Sequence, residues 1–276
     1  MQEQVNLKKL FVVVDPNDEK AIALERAMVF FEHVEVDKDN FEMFIFIGVD
    51  GEAVNTRANN DNLIRDGEWF KSVILEPLEK AGIKFQVGMS WSSEWQASIV
   101  QEARRFGADV IYLPIHARTN KIRFTFTESK WDLFKTAECP ILLIRPEATP
   151  SHKVVLAAVN FQAYKPHQKE LNSKIIETGK WIADNFGADL HVVNGYLDSM
   201  HYPDRGKLAN ESGLPGEKIH VKQGYSSDVV AETAKEINAD VVVVGTLGQT
   251  GKSRTRRGNT AERVIAGLEV DTVVIN

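Results

Sequence analysis

Cysteine is almost missing from this chain. Cys139 is the only one among 276 residues, which excludes an internal disulfide and fits a reducing compartment. It enters the apolar run Cys139-Pro140-Ile141-Leu142-Leu143-Ile144, so it reads as inert packing rather than as a nucleophile. Positive charge is short as well: 33 Lys and Arg face 39 Asp and Glu, for a net charge of −6. A nucleic-acid partner normally needs a basic face, and that class is set aside. No apolar run approaches the roughly 20 residues of a membrane-spanning helix. The opening Met1-Gln2-Glu3-Gln4 lacks the charged and apolar regions of a secretion signal. A cytoplasmic protein with no membrane span and no nucleic-acid partner is the expectation. The seven histidines show no HExxH or related metal spacing. No nucleophile, base and acid can be paired from spacing alone, so neither a metal site nor a catalytic residue is assigned.

What is present is a repeat. Ala108-Asp109-Val110-Ile111-Tyr112-Leu113 lines up with Ala239-Asp240-Val241-Val242-Val243-Val244, and that register runs to the end of the chain without a gap. The beginnings match too: Leu10-Phe11-Val12-Val13-Val14-Asp15 lies over Val155-Leu156-Ala157-Ala158-Val159-Asn160. Continuous β-branched runs such as Val241 to Val244 read as strands buried on both faces, hence a parallel sheet covered by helices. Strands are expected near 9–15, 41–48, 84–90, 109–115 and 140–145, and again near 153–160, 188–195, 217–223, 239–245 and 271–276. Helical spacing lies between them, for example over 93–106 and 168–186. The first copy also has a full helix between Gly67 and Gly82 despite Pro77, where the second leaves room for only a stub before Pro215. The expected fold is α/β: two tandem, doubly wound, five-stranded parallel-sheet units packed as a pseudo-dimer. The Pro146 to Pro150 joint divides them into residues 1–148 and 149–276.

The copies differ where chemistry would sit. In the second, a strand ends on Gly245, Gly248 follows, and Gly258 precedes a helix start that Asn259 can cap, with Glu262 three residues on. Glycines let backbone N–H groups approach an anion, and a helix N-terminus favours negative charge. In the first copy Pro114, Ala117 and Thr127 replace the three glycines, so a phosphate-binding loop is expected only in the second.

The spacing Gly245-x2-Gly248-x9-Gly258, after the fourth strand of a five-strand unit, resembles the universal stress protein family. With Gly258-Asn259-Thr260-Ala261-Glu262 and the duplication, the chain looks most like the tandem E-type of bacteria. The family's pattern has a serine or threonine after the third glycine; here Asn259 stands there and Thr260 follows. The resemblance implies an adenine-nucleotide-binding fold and, as in some members, bound ATP with Mg2+. It carries the base-flanking places to Asn160, where aspartate is common, and Gly195, where valine is common. Gly245, Gly248, Gly258, Asn259 and Thr260 would surround the phosphates. It also implies a role in stress response, partner proteins, a homodimer and at most slow ATP hydrolysis. Alternatives are an interaction scaffold that binds no nucleotide, or a small apolar ligand held between the units.

Other features have plainer readings. Residues 252–257 form a basic stretch that is either a cationic lid or a solvated loop. Gly251-Lys252-Ser253 misses the phosphate-loop spacing, because Thr246 occupies the first glycine's place. His191 and His220 start neighbouring strands and are read as ordinary histidines, although they could approach one another. His116 and Arg118 sit in the degenerate loop and are read as structural. Trp69, Trp91, Trp95, Trp131 and Trp181 are read as filling cores or the interface between the halves.

Overall fold

The computed structural model describes residues 7–16, 20–50, 67–92, 95–115, 133–150, 152–246 and 260–276. These fall into two compact units that meet in sequence between Pro146 and Glu147.

The first unit contains β1 (Lys9–Val14), α1 (Ile22–His33), β2 (Glu42–Asp50), α2 (Gly67–Trp69), a π-helical stretch (Phe70–Leu75), α3 (Glu76–Ala81), β3 (Lys84–Ser92), α4 (Trp95–Phe106), β4 (Val110–Pro114) and β5 (Ile141–Ile144). Its strands are all parallel, in the order β3-β2-β1-β4-β5. The core is aromatic. Phe11 stacks on Phe44 with ring centroids 5.1 Å apart, and Phe44 meets Phe106 at 5.4 Å. The helix expected across Pro77 is present but interrupted. Proline has no N–H for the carbonyl four residues back. The preceding turn accordingly widens into a π-helix, in which the Glu76 N–H reaches the Lys71 carbonyl.

The second unit contains β6 (Val154–Ala158), α5 (Pro166–Phe186), β7 (Asp189–Tyr196), a 3-10 turn (Ser199–His201), α6 (Arg205–Ser212), a second 3-10 turn (Gly216–Lys218), β8 (Ile219–Gln223), α7 (Ser226–Glu236), β9 (Val241–Gly245), α8 (Thr260–Gly267) and β10 (Asp271–Ile275). Its order is β8-β7-β6-β9-β10, again all parallel. Here the core is aliphatic, with Val155, Leu156, Ala157, Val192, Val193 and Val241 to Val243 fully buried. Pro166 starts the long helix α5 and Gly187, at φ 62°, ends it. The stub expected before Pro215 is α6, eight residues long.

The repeat extends to hydrogen bonds. Asp109 Oδ2 accepts from the N–H groups of Lys8 and Lys9, both at 2.8 Å, and pins the start of β1. Asp240 Oδ2 does the same for Lys153 at 2.8 Å and Val154 at 2.9 Å at the start of β6. In both units the first strand lies between the second and fourth strands. The chain therefore winds outward in two directions from that strand, and the C-terminal ends of the two central strands mark the place where doubly wound sheets bind ligands.

Candidate functional site at the C-terminal ends of β6 and β9

The turn after β6 is held by buried amides. Asn160 N–H donates to Asn172 Oδ1 at 2.9 Å, and the Asn160 carbonyl accepts from Asn172 Nδ2 at 2.8 Å. One residue on, Phe161 N–H donates to Asn194 Oδ1 at 2.7 Å. Asn172 is 6% exposed and Asn194 is 0% exposed. Such amides are retained inside only because their polar atoms are paired. The clamp fixes the backbone of Asn160, while the residue itself stays exposed at the end of β6. An amide offers one acceptor and two donors, which suits the mixed edge of a heterocyclic base.

Gly195 lies near the end of β7. Its carbonyl accepts from Gln162 Nε2 at 2.7 Å and from Asn194 Nδ2 at 3.0 Å. A β-carbon there would stand 3.3 Å from Ser226 Cα, where α7 begins. Gly195 thus lets the start of α7 close on the sheet. Gly245 ends β9, and a β-carbon there would come within 2.7 Å of Leu171 and 2.9 Å of Ile175. These side chains of α5 fill the space that the missing side chain leaves, so the residue already has a packing reason to be glycine. Thr246, next in the chain, is buried, donates its N–H to the Ile275 carbonyl at 2.7 Å and hydrogen-bonds Asn276 through its hydroxyl. Thr260 opens α8 and is exposed, with Glu262 in the first turn. Gly248, Gly258 and Asn259 lie outside the described residues, as do residues 252–257, His116, Ala117, Arg118, Thr127 and Trp131. Among the described residues, no three His, Cys, Asp or Glu side chains gather into a metal-binding group.

Two five-stranded parallel units with this strand order, joined in one chain, set the context for comparison with known proteins. The family model described as the universal stress protein family matches residues 6–145 and 199–276. The chain belongs to this family. Universal stress protein E of Escherichia coli strain K12 is 25% identical over 97% of this chain and 93% of its own length. A solved structure of a Pseudomonas aeruginosa protein aligns with a TM-score of 0.77 at 23% identity, over 98% of this chain and 93% of the other. A universal stress protein from Archaeoglobus fulgidus aligns at 0.70 and 17% identity, over 100% and 99%. The two structures establish the fold. The tandem E-type resemblance read from residues 258–262 and the duplication agrees with the Escherichia coli relative.

In the first universal stress protein unit a tryptophan lies at the corresponding place. Trp95, in the place Ser226 holds in the second unit, covers Gly48: a β-carbon there would lie 2.8 Å from Trp95 Cε3. With Val13, Val14, Asp15, Leu113, Pro114 and others it leaves a cavity of about 30 Å³. That is room for water-sized guests and far smaller than a ligand pocket of several hundred Å³. Sequence reading assigned Trp95 to a core or to the interface and so missed its position over Gly48. The ungapped repeat register begins only at Ala108, so it does not reach Trp95. The four described tryptophans are also less buried than expected. Trp69, Trp95 and Trp181 are half-buried, and Trp91, on the outermost strand β3, is 48% exposed. Two further residues that sequence reading did not single out are Asn172 and Asn194. Each is one polar residue within a helical or strand pattern, with nothing in the sequence to join it to a turn 12 or more residues away.

Proposed function

We propose that this universal stress protein acts in stress response by binding an adenine nucleotide, ATP with Mg2+, at the C-terminal ends of β6 and β9 in its second unit. The observation that carries the reading is the exposed Asn160 on a turn locked from both sides by Asn172, at the point where the winding of the sheet reverses. Asn160 would meet the base edge. The loop that leaves Gly245 and returns at Thr260 would meet the phosphates, with the N–H groups at the start of α8 turned toward negative charge. The packing roles of Gly245 and Gly195 are compatible with this: a glycine that admits a helix close to the sheet also shapes the wall beside those strand ends. The reading is binding rather than turnover.

Titration of a fluorescent ATP analogue into wild type and Asn160→Leu tests the placement. An affinity lower by about tenfold or more in the variant is expected from loss of a paired polar contact in a closed site. Equal affinities would remove the base from β6.

A protein-interaction scaffold is the second reading, favoured by the loops at the same end of the unit. Leu197, Met200, Tyr202 and Tyr225 are all more than half exposed, Met200 at 92%. Met200 sits on a turn that the Asp198 carboxylate holds by accepting from the N–H groups of Met200 at 3.0 Å and His201 at 3.2 Å. A rigidly presented apolar side chain is a common anchor at protein interfaces.

A further inference from the structure

At the opposite end of β7 and β8, three side chains form a hydrogen-bonded row that plays no part in the nucleotide reading. His191 Nδ1 lies 3.0 Å from His220 Nε2, and His191 Nε2 lies 3.2 Å from Asp189 Oδ2. The two imidazole planes differ by only 27°, with centroids 5.2 Å apart. That spacing arises when the facing nitrogens lie near the line joining the ring centres. The in-plane orbitals of the two nitrogens therefore point at one another.

Such a contact holds one proton. Two lone pairs repel, and two N–H groups repel more strongly. Asp189 is held below the usual carboxylate range, first by its bond to Lys218 and then by His191, so it is an ionised acceptor and fixes the proton on His191 Nε2. With both rings neutral, His220 Nε2–H donates to His191 Nδ1. With one charge, His191 donates from both nitrogens and His220 accepts in its other tautomer. A second charge puts two N–H groups head to head and breaks the bond. Among the surrounding charges only Glu236 works to relieve it. Lys222 and Arg205 add positive charge, and Glu236, on α7, is already paired with Lys222. Burial, and then the neighbouring His191, hold the His220 pKa below the ordinary histidine value.

The position of the pair gives it leverage. β8 is an outermost strand of its unit, joined there to β7 alone, and His220 is its second residue, paired with Val193. We propose that Asp189, His191 and His220 form a proton-operated latch that fastens the start of β8 to β7 and releases it when the pair takes its second proton. The sign follows from linkage. A histidine kept neutral by the fold adds stability in full above the unfolded value of about 6.5, and that stability is lost as pH falls through the lowered folded value.

Backbone hydrogen exchange at Ile219–Gln223, compared with Val241–Val244 in the same unit, tests the latch. After correction for intrinsic exchange, protection in β8 is expected to fall about tenfold relative to β9 between pH 7 and pH 5. In His220→Gln, which keeps a side-chain donor but cannot take the second charge, the ratio should stay flat. Nitrogen-15 NMR of the wild-type imidazoles gives a readout that needs no variant. It should show one proton shared by the facing nitrogens above pH 7 and two well-separated titration steps. Parallel loss of protection in β8 and β9, or two independent single-step titrations near 6.5, would overturn the proposal.

Discussion

At the residue scale, the site depends on amides rather than on charges. Asn172 bonds both backbone groups of Asn160, so Asn172→Ala leaves a donor and an acceptor in a half-closed turn without their partner. A loss of about 1–3 kcal/mol is expected, read as a lower urea midpoint with unchanged slope. Gly245→Val forces a side chain against Leu171 and Ile175. The cost should again be about 1–3 kcal/mol, from overpacking and before any ligand is added. Cys139 illustrates a residue whose environment settles its chemistry. Burial, helped by Asp109 and Glu138, pushes its thiol up to about 12. Its thiolate should be on the order of a thousandfold scarcer at pH 7 than that of an exposed cysteine. The residue is half-buried, and a disulfide reagent should label it slowly in native buffer and quickly in urea; equal rates would contradict the raised thiol pKa.

At the element scale, periodicity made the alternating strands and helices legible, because strands buried on both faces leave continuous apolar runs such as Val241 to Val244. The ungapped repeat register set Asp109 over Asp240, and both carboxylates pin the first strand of their units. Asp240→Ala should therefore destabilise by about 1 kcal/mol, at the low end for a charge-assisted bond because the site is open to water. Denaturant unfolding would show it, and an unchanged midpoint would make the contact incidental. Other features were not legible. The π-helical turn before Pro77 depends on where a missing N–H is absorbed, and composition does not say which carbonyl yields. Trp95 looked like ordinary core because burial patterns do not reveal which face of a helix start lies over a glycine. The Asn172 clamp joins residues that are distant in sequence, and only the fold brings them together. His191 and His220, read as ordinary histidines that could approach one another, are in fact hydrogen-bonded.

At the scale of the whole molecule, the chain carries one fold twice with different ends. In the first unit Trp95 and Pro114 line a cavity of about 30 Å³ at the ends of β1 and β4. The second keeps a small residue at Ser226 and a glycine-spaced connection after β9. On this account one nucleotide binds per chain, in the second unit alone. Isothermal titration of the full chain with Mg2+ and ATP tests that claim most directly. The account predicts micromolar binding with a stoichiometry near one. No heat at millimolar ATP, or a stoichiometry near two, would contradict it.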